Sequence, residues 1–316
     1  MGITTSKNRP LPKTGWGNVW RQIKRSKFLY LLFAPVFVYY LIFKYGPMFG
    51  IVIAFKDYNI YRGIWASEWV GFEWFRQFFK SMYFGRTLRN TLMINLYDLA
   101  FVFPAPIILA LLLNELKNGW FKKTVQTISY LPHFISTVII VSMFVTFLSP
   151  SSGLINNIIA LFGGKRIHFL AEPQYFWGLY TAMRVWSGIG WGTIIYLAAL
   201  ASVDVELYEA CIIDGGGRMR QTVSVTLPGI SSTIIIMLIF RVGDLLSVGY
   251  ESIILMYNPT IYATADVIST FVYRRGLIEA NYSYSAAVGL FSSVIGLILI
   301  TATNQVAKSY SDTSLW

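Results

Sequence analysis

The sequence predicts an all-α membrane protein with six transmembrane helices, and three observations predict it. Of its 316 residues, 55% are hydrophobic and 13% are charged, with a mean hydropathy of +0.54; soluble domains carry about a quarter charged residues. Six apolar segments, at 28–54, 88–113, 125–148, 175–201, 230–257 and 284–307, reach the ~20 residues that cross a bilayer. These runs are continuous rather than alternating, which selects helices over barrel strands.

Residues 1–27 form a basic tail that holds seven of the 26 Lys/Arg and no acid. Beside a span, such a tail fits a cytosolic anchor better than a nucleic-acid arm. The apolar run from Phe28 is too long for a signal-peptide core and no cleavage site follows it, so the start is expected to be retained. The six spans, residues 28–307, then return the tail 308–316 to the cytosol. The loop 114–123, with Lys117, Lys122 and Lys123, agrees. The first external segment, 55–87, also carries Lys56, Arg62, Arg76, Lys80 and Arg86, so the orientation rests mainly on the tail. Pro35, Pro104 and Pro106 lie inside spans and are expected to kink them. Segment 66–84 mixes aromatics with charges and reads either as an amphipathic helix at the outer interface or as packing against the bundle. The loops 149–174 and 258–283 are read as short and external, and no large soluble domain is expected.

Several chemistries lack their residues. "GGGRMRQT" and "FGGKRIHF" are glycine-rich and basic, but neither has the spacing or the Lys-Ser/Thr pair of a phosphate-binding loop. His133 and His168 have no partner at metal-ligand spacing, so structural roles are expected and no metal. No serine elbow or H-E-x-x-H occurs. No catalytic residue is therefore assigned. Cys211 is the only cysteine, which excludes an internal disulfide.

The most informative polar stretch is 203–228, between the fourth and fifth spans. Val203–Asp214 has helical spacing, with Asp204 or Ser202 available to cap its start. Gly215, Gly216 and Gly217 allow a tight reversal with positive φ. A second short helix then runs toward Pro228. The expected product is a helix–turn–helix knuckle whose Glu206, Glu209, Asp214, Arg218 and Arg220 suit protein docking, against the blander reading of a solvated loop.

Charged groups inside spans cost about 2.5–3.5 kcal/mol on insertion scales and rarely face lipid. Asp98, Arg184, Arg241, Asp244 and Glu251 fall in or near spans. Arg241, Asp244, Val248 and Glu251 follow a 3-4-3 spacing, so one helix face would carry a mostly polar stripe. Either Arg241 and Asp244 neutralise each other at i,i+3, or the stripe lines a polar pathway. Arg184 has no partner nearby in sequence and could meet a uronate carboxylate. Trp186, Trp191 and Tyr196, on the same segment, could stack on sugar faces or simply pack.

Glu209-Ala210-Cys211, Gly215 after three residues, and Val225-Thr226-Leu227-Pro228 after nine more resemble the EAA loop of bacterial ABC importer permeases. Cys211 stands where the loop has its second Ala, Val225 where it has Ile, and Gly216 where carbohydrate permeases often have Ala. "FKYGPMFGIVIAFKDYN" (43–59), "EWVGFEWF" (68–75), "RNTL" (89–92), "ALLLNEL" (110–116), "YLPHF" (130–134) and "YSAAVGLF" (284–291) extend the likeness over nearly the whole chain. It is to type I, MetI-like permeases for oligosaccharides, the branch with the alginate and rhamnogalacturonan importers.

That resemblance implies a permease subunit of the bacterial inner membrane that carries an oligosaccharide, with acidic ones in range. It implies a second permease, usually a different chain, two cytosolic ATPases that bind ATP and Mg, and an extracytoplasmic solute-binding protein. No cofactor is implied in this chain. Glu209, Ala210, Cys211, Asp214, Gly215, Gly216, Leu227 and Pro228 would couple to the ATPase, with Glu209 facing a basic group there. The alternatives are an ion-coupled secondary transporter, whose inverted repeats are not seen here, and a membrane scaffold without transport.

Overall fold

A computed structural model describes residues 24–246, 248–310 and 314–315. Most of the basic tail 1–27 and part of the tail 308–316 lie outside the described residues. The chain divides into two compact units, 1–52 and 53–316.

The described part of the first unit is helical. Lys27–Tyr40 runs unbroken through Pro35, followed by a π-helical turn, Leu41–Tyr45, and a short helix, Gly46–Met48. Its side chains from Lys27 to Phe49 are exposed, as an apolar helix in lipid would be.

The second unit is built on long helices. Its Met82–Glu115 and Tyr282–Ser309 helices, like Lys27–Phe55, which lies mostly in the first unit, are each long and apolar enough to cross a membrane, and three bent pairs, if each is one span, bring the number among the described residues to six. The bends revise the expected continuous segments. The third is broken by 105° between Trp120–Phe134 and Thr137–Phe147. Pro132 forces a 3₁₀ turn at Leu131–Phe134, and the Ser136 side chain caps the new helix by accepting from the Ile139 amide. The fourth, Phe176–Leu200, is one uninterrupted helix.

The fifth ends as a helix at Gly243 and resumes only at Tyr250–Met256. Arg241, Asp244, Val248 and Glu251 therefore do not share one helix face, contrary to the spacing argument. The unwound piece must satisfy its carbonyls inside the protein. The Asn95 amide donates to Leu245 O at 2.7 Å and the Ser269 hydroxyl to Val248 O at 2.8 Å. Gly243 permits the break to lie close to the last helix, since a Cβ there would stand 3.1 Å from Ile300.

Three π-helical turns end two residues before a proline: Leu41–Tyr45 before Pro47, Asp98–Val102 before Pro104 and Thr222–Thr226 before Pro228. A proline lacks the N–H and its ring presses on the preceding turn. Widening that turn absorbs both effects, so Pro104 acts through a π-turn that begins at Asp98.

The segment 66–84 is not one helix. Lys56–Asp57 pairs antiparallel with Glu68–Trp69, and only Glu73–Lys80 is helical before the chain turns at Ser81. Packing against the bundle applies to part of it. Phe78 is fully buried against Phe271, Tyr284 and Val288, while Trp69, Phe72 and Phe79 stay exposed. Lys56 is spent internally, its Nζ on the carbonyls of Ile64, Trp65 and Ser67. The loop 258–283 is structured rather than a plain external connection. It folds into the core through Ile261, Ala265, Val267 and Ile268, all essentially buried.

Candidate functional site

Two regions collect the candidate residues. The first is the knuckle. The helix Val205–Ile213 starts at Asp204, whose side chain accepts from the Glu206 amide at 3.0 Å. It ends with paired closing bonds, Gly216 N to Cys211 O at 2.8 Å and Gly215 N to Ile212 O at 2.9 Å. This is a Schellman closure, which places the residue after the cap in left-handed conformation. Gly215 has φ +78, and it alone of the three glycines has positive φ. Gly216 has another reason to be glycine: an added Cβ would lie 2.4 Å from Cys211 Sγ and 2.7 Å from Cys211 O. The returning helical segment is tied back by Gln221 Nε2 to Gly216 O at 3.1 Å and by the Tyr208 hydroxyl to Thr226 Oγ1 at 3.1 Å. Leu227 and Pro228 lie in the helical turn Leu227–Gly229, from which the chain enters Ser231–Gly243.

What the knuckle displays is mixed. Leu207, Ile212, Ile213 and Met219 are exposed, beside exposed Glu206, Glu209, Ala210, Asp214, Arg218 and Arg220. Among the described residues Glu209 takes part in no ion pair. Arg218 reaches Glu115 at 3.9 Å, so the knuckle lies at the Glu115 end of the Met82–Glu115 helix.

The second region lies near the middle of that 34-residue helix. Asp98, 1% exposed, receives Arg184 at 2.5 Å and Arg241, both on Oδ2. Arg184 thus has a partner, 86 residues away in sequence. The expected Arg241–Asp244 pair is replaced, because the helix ends between these two residues and Arg241 turns to Asp98. Asp244 is exposed on a groove of about 1110 Å³ beside the last helix, and Glu251 is exposed at the start of Tyr250–Met256.

The aromatic candidates separate. Tyr196 is 3% exposed in a core cluster with Ile107, Leu200 and Ile230, so it is a packing residue and is withdrawn as a sugar contact. Trp191 is exposed and stacks on His133 at 4.3 Å and 6°. Trp186 is exposed, but lies roughly 200° round the helix from Arg184.

Sequence reasoning missed a polar stripe. Thr87, Asn90, Thr91, Asn95 and Asp98 are all buried at i, i+3, i+4, i+8 and i+11 on one helix. Asn90 holds the carbonyls of Ala263 and Asp266, and Thr91 accepts from the Ile268 amide. It also missed Asp266, fully buried, which binds Arg86 at 2.7 Å and Arg274 at 2.9 Å. Helical periodicity of polar residues inside an apolar run was the available signal.

The description "Binding-protein-dependent transport system inner membrane component" names the family model that matches residues 78–311. Protein LplB of Bacillus subtilis is 47% identical over 315 residues, 99% of both chains. The polygalacturonan/rhamnogalacturonan transport system permease protein YteP of the same organism is 46% identical, over 92% of this chain and 91% of its own. A chain in the crystal structure of a bacterial alginate ABC transporter, in complex with an alginate pentasaccharide-bound periplasmic protein, is 42% identical with a TM-score of 0.87. That match covers 94% of this chain and 99% of the other. A multi-pass permease with these relatives leaves the ion-coupled alternative without support: the chain belongs to the family of binding-protein-dependent transport system inner membrane components.

Proposed function

We propose that this chain is the permease subunit of an importer for acidic oligosaccharides, coupled by its 203–228 knuckle to ATP hydrolysis elsewhere. The observation that carries the coupling is the knuckle itself, capped at both ends, turned at Gly215 and displaying an unengaged Glu209 beside exposed apolar side chains. Such a surface suits a cleft in a protein partner better than free solvent. Its partners are a second permease, two ATPases that bind ATP and Mg, and a solute-binding protein at the opposite face. The chain itself carries no reaction. Both termini and the knuckle face the cytosol, as the basic tail favours.

The acidic substrate class is favoured by the relatives, whose names specify polygalacturonan and alginate transport. It is favoured independently by Arg184 and Arg241 sharing a single acid near the middle of the Met82–Glu115 helix.

The test is capture of the chain from detergent-solubilised native membranes with mass spectrometry of its companions. A second permease and a Walker-motif ATPase are expected, lost with Glu209→Lys. A chain that comes down alone and still transports overturns the reading.

A further inference from the structure

We infer that Asp98 is an internal competitor at a carboxylate subsite formed by Arg184 and Arg241, occupying in the empty permease the place that a uronate carboxylate takes in the loaded one. The inference rests on the acidic-substrate reading and assigns it to residues.

The charge count is the first support. Two guanidiniums meet one carboxylate, and both use the same oxygen, Oδ2. Asp98 Oδ1 is buried without a hydrogen-bond partner among the described residues. A guanidinium is a planar fork suited to two parallel bonds with a carboxylate. Each fork here leaves donors unused on Asp98. One further carboxylate would give each guanidinium of this contact its own acid, since Asp244 acts on Arg241 without forming an ion pair with it.

Access is the second support. Asp98 is closed off, but the side chains of Arg184 and Arg241 keep 27% and 25% of their surface exposed. Midway along a span that surface cannot face hydrocarbon cheaply. It faces water, a partner subunit or cargo.

The third support is the wall beside Arg184. Gly188 and Trp191 follow at i+4 and i+7 on the same face of Phe176–Leu200. A Cβ on Gly188 would meet open space, and Trp191 is packed on one ring face by His133. Arg184 and Trp191 are thus roughly 10 Å apart along the axis, with a gap between them. A guanidinium, a gap and an indole in line suit a short saccharide with a carboxylate at one end.

The chemistry is an exchange of ion pairs with no bond made or broken. An arriving uronate takes the free donors of Arg184 and draws it from Asp98, which stays with Arg241. A neutral sugar has no group able to displace Asp98. As cargo leaves, Asp98 recovers Arg184, so the site does not hold its own substrate.

The experiment uses the complete complex in nanodiscs without the binding protein, whose own selectivity would otherwise intrude. The probes are trigalacturonate and its carboxyl-reduced, neutral counterpart, followed by equilibrium binding. The wild type is expected to bind the acid at least about ten-fold tighter. Asp98→Asn is expected to tighten the acid several-fold and leave the neutral sugar unchanged; Asp98→Glu is expected to restore wild-type affinity. Arg184→Gln is expected to abolish the preference, and decides the matter if Asp98→Asn fails to assemble. A structural lesion at Asp98 would weaken both ligands alike. Equal binding of the two sugars by the wild type, weaker acid binding by assembled Asp98→Asn, or retained preference in Arg184→Gln each overturns the proposal. If saccharide-loaded binding protein fails to stimulate the wild-type ATPase, the importer reading itself falls.

Discussion

The Asn95 side chain donates to the carbonyl of Leu245 at 2.7 Å, across 150 residues of sequence. Asn95 lies three residues before Asp98 on one helix face, and Leu245 four after Arg241. The two contacts together fasten the end of the Ser231–Gly243 helix and the unwound residues after it to the Met82–Glu115 helix. Asn95→Leu removes the partner of that part-buried carbonyl, at a cost of up to about 1–3 kcal/mol. The purified complex should unfold at a lower temperature in detergent, read by a thermal aggregation assay. Unchanged thermal stability would mean that the break is held by something else.

Asp266 makes a stronger case. It is fully buried, accepts from Arg86 and Arg274 and also from the Thr270 hydroxyl at 3.1 Å. Removing one partner of a buried ion pair costs about 3–5 kcal/mol, because the remaining charges stay buried. Asp266→Ala strands two guanidiniums, so the chain should be degraded in the membrane rather than accumulate. Thr270→Val keeps both guanidiniums paired but removes this bond and the acceptor of the Val267 amide, a smaller cost of about 1–3 kcal/mol, so the chain should still accumulate. Quantitative blotting of membrane fractions separates the two.

These two anchors also mark what was legible from sequence. The six apolar runs were long enough to declare themselves, and Glu209 through Pro228 stood out as a polar island between two of them. The run Gly215–Gly217 could be assigned a turn because a helix ended just before it, but that Gly215 alone has positive φ could not. The break in the fifth span was hidden, since residues 244–249 are scarcely less apolar than their neighbours and hydropathy does not register a lost helical hydrogen bond. The partner of Arg184 was hidden for another reason: Asp98 was visible as a charge, but pairing across 86 residues depends on packing. Tyr196 misled because an aromatic in a span looks the same whether it faces a cavity or the core. Pro132 and Ser136 did carry the third-span bend, through proline stereochemistry and an N-cap, but hydropathy read straight across them.

Cys211 and Gly216 form a size-matched pair. A Cβ on Gly216 would lie 2.4 Å from Cys211 Sγ, and 2.7 Å from the carbonyl of the same residue. Gly216→Ala should therefore distort the turn and reduce stimulated ATPase activity of the complex, whereas Cys211→Ala should be near neutral. The double variant should recover part of the loss, because it removes the sulfur contact but leaves the carbonyl one. A double-mutant cycle on ATPase rate measures this, with a coupling of about 0.5–3 kcal/mol for residues in contact. Strict additivity would deny that the two side-chain volumes are matched.

Gly188 and Gly190 stand two residues apart on Phe176–Leu200 and should respond oppositely. A Cβ on Gly190 would come within 2.0 Å of Ser129 O and 2.8 Å of the Tyr130 amide nitrogen. The glycine lets the Trp120–Tyr130 helix cross in backbone contact, and backbone cannot rotate aside as a side chain does. Overpacking a core costs about 1–3 kcal/mol when side chains can adjust, so Gly190→Ala should exceed that range. At Gly188 a Cβ meets open space, and alanine is also the better helix former by about 1 kcal/mol. Gly188→Ala should accordingly assemble at least as well as the wild type. Size-exclusion profiles of the two complexes, expressed side by side, check the contrast. Equal assembly of both variants would show that the 120–130 helix does not cross at Gly190.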